Sequence, residues 1–129
     1  MTIDPVLEND FYHDGRGPEL QKVRWKSNGV VLVGFEYFNP DDEYTPDNLK
    51  HLTFDSVEAY SMSSDEVHGN ILATGDSKAA IFEVKDSEWL ASFNQAHLSE
   101  CKHYQIMFHD EIYDVICKQI IVGTGQLNA

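Results

Sequence analysis

Residues 22–38 read Lys-Val-Arg-Trp-Lys-Ser-Asn-Gly-Val-Val-Leu-Val-Gly-Phe-Glu-Tyr-Phe, and this stretch decides the class of fold. Lys22 to Lys26 alternate polar and apolar, Asn28-Gly29 follows, and the run from Val30 is β-branched and aromatic. Asn-Gly between two such runs predicts a hairpin, because a type I′ turn requires positive φ at both central residues. On the second strand Val31, Val33, Phe35 and Tyr37 share one face, and Val30, Leu32 and Phe38 share the other. Apolar character on both faces predicts a central position, whereas the basic first strand reads as an edge.

Outward from this hairpin, the N-terminal residues 1–21 carry five acids, one Arg and the run Asp14-Gly15-Arg16-Gly17-Pro18, and read as a largely irregular lead-in. Residues 39–48 hold Pro40, Pro46 and four acids and read as a loop. Residues 49–62 resume a β pattern whose apolar phase slips between Phe54 and Val57, as a bulge would cause. Short strands are expected at 70–74 and 79–84. Asp86 or Ser87 then caps a helix over about 87–98, with Trp89, Leu90, Phe93 and His97 forming its apolar stripe.

The tail predicts a second hairpin, 103–109 and 112–122 around Asp110-Glu111. A two-residue turn there sets His109 opposite Ile112, Ile106 opposite Val115 and Tyr104 opposite Cys117, and makes His109 and Asp114 diagonal neighbours. The even positions of its first strand, with Tyr113, Val115 and Cys117, form an apolar face expected against Trp89 and Phe93. Asp-Glu is a poor two-residue turn, so a longer loop would shift this register. The expected fold is a strand-dominated α+β domain, 1–129. Its antiparallel sheet has about six to seven strands, built from hairpins over 22–38, 50–84 and 103–122, with one main helix packed on it.

Twenty-two acidic residues against nine basic ones give a formal charge of −13. Such a field repels nucleic acid and anionic membrane and favours cationic partners. With 42% hydrophobic residues the chain can fold despite that charge. The sequence shows neither a secretory signal pattern nor an apolar run of membrane-spanning length, which predicts a cytoplasmic protein with reduced, buried Cys101 and Cys117.

The motifs are weak. His97, His103 and His109 recur every six residues, but His103 and His109 on one strand stand about 20 Å apart, too far to share an ion. The loop Asp41-Asp42-Glu43-Tyr44-Thr45-Pro46-Asp47 alternates oxygen ligands as a calcium loop does, yet Pro46 stands where Gly is needed and Leu52 where the bidentate Glu belongs. Neither a dedicated metal site nor a cofactor fingerprint is expected. Gly69, Gly75 and Ser77-Lys78 lack the spacing of a phosphate loop. Lys22, Arg24 and Lys26 are too few to hold nucleic acid.

The weak catalytic candidates are His109 and Asp114; a catalytic reading needs several of His51, His68, His103, His109 and Asp114 to line one pocket. No Ser or Cys in a nucleophile-elbow context accompanies them. The expected function is therefore that of a small binding protein without enzymatic activity. Its partner is a basic protein, with an immunity- or antitoxin-like inhibitor as the sharpest version, and Asp41, Asp42, Glu43, Tyr44 and Asp47 are its binding residues. A housekeeping homo-oligomer such as a homodimer, and a small enzyme or ligand-binding domain with a His/Asp pocket, are the alternatives.

Overall fold

The computed structural model describes residues 2–6, 19–27, 31–38, 49–64, 81–108 and 111–125. In chain order the elements are β1 (Thr2–Pro5), β2 (Glu19–Ser27), β3 (Val31–Phe38), β4 (Lys50–Val57), β5 (Ala59–Ser64), β6 (Ile81–Lys85), helix α1 (Glu88–Ser92), a 3-10 turn (Ala96–Glu100), β7 (Lys102–Met107), β8 (Glu111–Cys117) and β9 (Gln119–Thr124). The class is strand-dominated and antiparallel, with little helix. The strands divide between two sheets, ordered β1-β6-β7-β8-β5 and β2-β3-β4-β9, rather than joining one.

The division follows from two places where the chain leaves one sheet for the other. A single residue, Glu58, separates β4 from β5, and a single residue, Lys118, separates β8 from β9. The crossings lie side by side: the Glu58 amide donates to Ile116 at 2.8 Å, and the Lys118 amide donates to Asp55 at 3.0 Å. β4 pairs with β9 and β5 with β8 in registers that differ by one residue. Ser56, at φ 57, stands at that bend. A bulge bends a strand and re-aims its side chains. Phe54 and Val57 therefore both turn inward despite their odd spacing, at 0% and 8% exposure, which is the phase slip legible in the sequence.

β3 lies between β2 and β4, and β2 is at the end of its sheet, as the patterning predicts. Asn28 and Gly29 themselves lie outside the described residues, as do residues 70–74. The lead-in is less irregular than expected: Thr2–Pro5 pairs with residues 82–85 of β6. Among the described residues of the span 50–84, β4, β5 and β6 pair with other strands and not with one another.

The C-terminal hairpin forms over β7 and β8, and residues 119–122 belong to β9 in the other sheet. Its turn lies one residue earlier than expected, two residues separating Phe108 from Glu111, whose carbonyl accepts from the Phe108 amide at 2.8 Å. The register is thus displaced by two: Tyr104 faces Val115, Ile106 faces Tyr113 and Gln105 faces Asp114. A two-residue displacement preserves which side chains share a face. That face meets Leu52, Phe54 and Val57 of β4, not Trp89 and Phe93. Trp89 and Leu90 pack on the opposite side of the same sheet, over Ile116, Leu98 and Cys101. The helix is also shorter than its apolar spacing suggests. Asn94 adopts φ 48 and ends it, so that Phe93 and His97 stay exposed while the 3-10 turn buries Leu98. Among the described residues no helix is long and apolar enough to cross a membrane.

His51 of β4 and Gly123 of β9 are register partners, and the His51 Nδ1 lies 3.1 Å from the Gly125 carbonyl oxygen. A Cβ at Gly123 would meet His51 Nε2 at 2.2 Å, so only Gly leaves room for the imidazole. Gly123→Ala is expected to cost about 1–3 kcal/mol in urea unfolding as an overpacked contact. In a His51→Ala background the same substitution should cost less than half as much, the coupling being read from the double-mutant cycle.

Candidate functional site

Three polar side chains meet beneath α1. Ser87 follows β6 at the strand-to-helix turn, just after Asp86 at φ 52, and is the N-cap of α1. A serine oxygen there satisfies an orphan amide of the first turn, and the Ser87 Oγ accepts from the Leu90 amide at 3.1 Å. His103 and Asp114 come from β7 and β8. Their meeting is a consequence of register: with Gln105 opposite Asp114, the diagonal neighbours of Asp114 are Met107 and His103. A turn at Asp110-Glu111, as expected from sequence, would have set His109 there instead; His109 lies outside the described residues.

The distances close a relay. His103 Nδ1 stands 2.7 Å from Ser87 Oγ, and His103 Nε2 stands 2.8 Å from Asp114 Oδ1. Gln105 Nε2 also donates to Asp114 Oδ1, at 3.2 Å. Exposure is 7% for Ser87, 3% for Asp114 and zero for His103 and Gln105. One proton arrangement satisfies these contacts together. The carboxylate accepts from Nε2–H and from Gln105, and the Nδ1 lone pair accepts the Ser87 hydroxyl proton, while Ser87 Oγ accepts from the Leu90 amide.

Serine, imidazole and carboxylate in this order have the connectivity of a nucleophilic triad, with the two ring nitrogens exchanged. Its turnover is another matter. Acyl transfer needs the imidazole to take the serine proton, pass it to a leaving group, and then activate a water. Here the ring has no exposed surface, with Ser87 at one nitrogen and Asp114 at the other. The relay acts as a clamp, binding the start of α1 to the sheet. Trp89 extends it, its ring edge-on to His103 at 5.1 Å and to Phe93 at 5.7 Å.

Two clefts flank this clamped helix. One, of about 550 Å³, is bordered by Ser87, Leu90, Leu98 and Cys101. The other, of about 420 Å³, lies between β5 and α1 and is lined by Val57, Glu58, Ala59, Tyr60, Trp89 and Phe93. Glu58 also stands 3.5 Å from His97, a surface ion pair of small worth when the imidazole is protonated.

Of the residues singled out in the sequence, the structure brings together His103 and Asp114. His51 is spent on the Gly125 carbonyl and His97 is exposed beside Glu58. His68, His109, Asp41, Asp42, Glu43, Tyr44 and Asp47 lie outside the described residues. Ser87 was legible only as a helix cap. Its partners announced themselves weakly, as polar residues inside otherwise apolar strands. The chain matches no known protein family, no curated protein and no solved structure.

Cys101 and Cys117 are free and buried. Burial pushes the Cys117 thiol up to about 12, and it raises Cys101 in the same direction; burial likewise raises Tyr104 to about 12. The fold thus favours the neutral forms. Their contribution to stability is complete below the ordinary thiol value of 9.0 and is lost as pH rises towards about 12. The urea midpoint is expected to fall steadily above pH ~9, and an aromatic disulfide reagent at pH ~8 should modify both thiols in urea and neither in the native protein.

His103→Ala leaves the Asp114 carboxylate buried beside a void, and about 3–5 kcal/mol should be lost in chemical denaturation. Ser87→Ala removes only the cap and one hydroxyl bond, and about 1–2 kcal/mol is expected. Equal losses would show that the carboxylate is not held through His103.

Proposed function

We propose that the protein is a small acidic binding protein that engages a basic protein partner and carries no enzymatic activity of its own. An immunity- or antitoxin-like inhibitor is its sharpest form. The observation that carries this reading is the surface around β5: Tyr60 and Met62 are 50% and 55% exposed on a strand that ends its sheet, beside the exposed Glu58. Aromatic and Met side chains are enriched where proteins meet, and a surrounding field of negative sign steers a cationic partner. The zero exposure of the relay's imidazole supports the non-enzymatic half of the reading. A net charge of −13 supports a basic partner over nucleic acid or an acidic surface. The acidic loop residues Asp41, Asp42, Glu43 and Asp47, with Tyr44, supply the steering part of this proposal, in the cytoplasm.

A homodimer is the second reading, favoured by β9, which ends the other sheet with Ile121 and Val122 at 49% and 38% exposure. Light scattering at two concentrations separates the two, a strictly monomeric mass excluding the dimer.

The test of the first reading is affinity capture from the native lysate at low and moderate salt, followed by binding kinetics with the purified partner. A cationic protein is expected, with an association rate that drops about tenfold when Asp41, Asp42, Glu43 and Asp47 are replaced by Asn and Gln, and little change in dissociation. Recovery of no cationic protein at any salt overturns the reading.

A further inference from the structure

We propose that the cleft between β5 and α1 receives a single arginine or lysine side chain, presented by the basic partner on a protruding segment. The inference rests on the binding-protein reading for its occupant, but its chemistry is local. Trp89 and Phe93 contribute aromatic rings to a cleft of about 420 Å³ that Tyr60 borders, within the size range of sites built for small groups. Glu58 places a carboxylate among them. Aromatic faces attract a cation and a carboxylate pairs with one, so both components favour the same ligand charge. An anion would meet Glu58 as a like charge. A purely apolar plug would desolvate that carboxylate without replacing its hydrogen bonds. A guanidinium or ammonium group on an aliphatic stem answers all the surfaces at once.

The cleft is also held ready. Trp89 is fixed from below by its edge contact with His103, and His103 is locked between Ser87 and Asp114. Phe93 rests on Trp89 in turn. Rings held in place before the ligand arrives lose little freedom on binding. His97 already stands 3.5 Å from Glu58, with the two side chains 60% and 39% exposed. It is a weak internal occupant of the cation position, which a better-placed guanidinium displaces.

The probe is N-acetyl-arginine methylamide, titrated into the isotopically labelled full chain and followed by nuclear magnetic resonance, with the citrulline analogue as the uncharged isostere. Saturable shifts are expected at the Trp89 indole and at Tyr60 and Phe93, with affinity in the millimolar range typical of one small group. They should be absent or at least about threefold weaker with citrulline. Glu58→Gln and Phe93→Ala, both at exposed positions, should each weaken the arginine response by at least about threefold. Shifts that do not saturate, that are equal for the two probes, or that map elsewhere overturn the proposal. So does self-association of the wild type that Phe93→Ala abolishes, since a second copy is then the occupant. The same variants separate this inference from the broader reading. If a captured cationic protein binds Glu58→Gln and Phe93→Ala as tightly as wild type, the cleft assignment falls and the binding function stands. If arginine binds the cleft and no cationic protein is captured at any salt, the cleft stands and the partner falls.

Discussion

The hydrogen-bonded series Ser87, His103, Asp114 is the constraint on which the surface over the five-stranded sheet depends. It joins three elements distant in sequence: the turn after β6, the start of β7 and the middle of β8. A buried imidazole and a buried carboxylate are each costly alone, and together with Gln105 they meet each other's needs. Removing His103 breaks the link between Ser87 and Asp114, so the network ties α1 to one position on the sheet. A five-residue helix has little stability of its own. Its cap and its docking supply what its length does not.

Beneath this layer, the two sheets enclose an apolar core in which Leu52 and Phe54 face Ile106 and Val115, all without exposed surface. Each such side chain contributes about 1.5–3 kcal/mol through burial. The sheets are joined covalently and at a corner, where the β4–β5 and β8–β9 crossings hydrogen-bond to one another. One bend, with Ser56 in the left-handed region, lets a continuous ribbon serve both layers. The sheet faces are therefore unequal. One is sealed in the core, and the other carries the relay, α1 and the clefts on either side of it.

The relay illustrates how connectivity and chemistry part company. Serine, histidine and aspartate stand in hydrogen-bonding order, with the serine at a strand-to-helix turn, and still the imidazole has no surface from which to pass a proton onward. Burial and mutual hydrogen bonding make the arrangement rigid. Rigidity then becomes useful at the next layer, because Trp89 inherits its position from His103 and lends it to the aromatic cleft facing Glu58.

Much of the fold was legible in local pattern. The alternation in 22–38, the slip between Phe54 and Val57, the Ser87 cap and the faces of the C-terminal hairpin all follow from side-chain period and turn chemistry, which neighbouring residues determine among themselves. The charge of −13 is a property of composition. What the tertiary structure alone decided is which faces meet. Two sheets form instead of one because single-residue crossings at Glu58 and Lys118 redirect the chain, a geometric choice that no periodicity records. A turn set one residue earlier left every face unchanged and yet exchanged His109 for His103 beside Asp114, because diagonal contacts depend on register while faces depend only on parity.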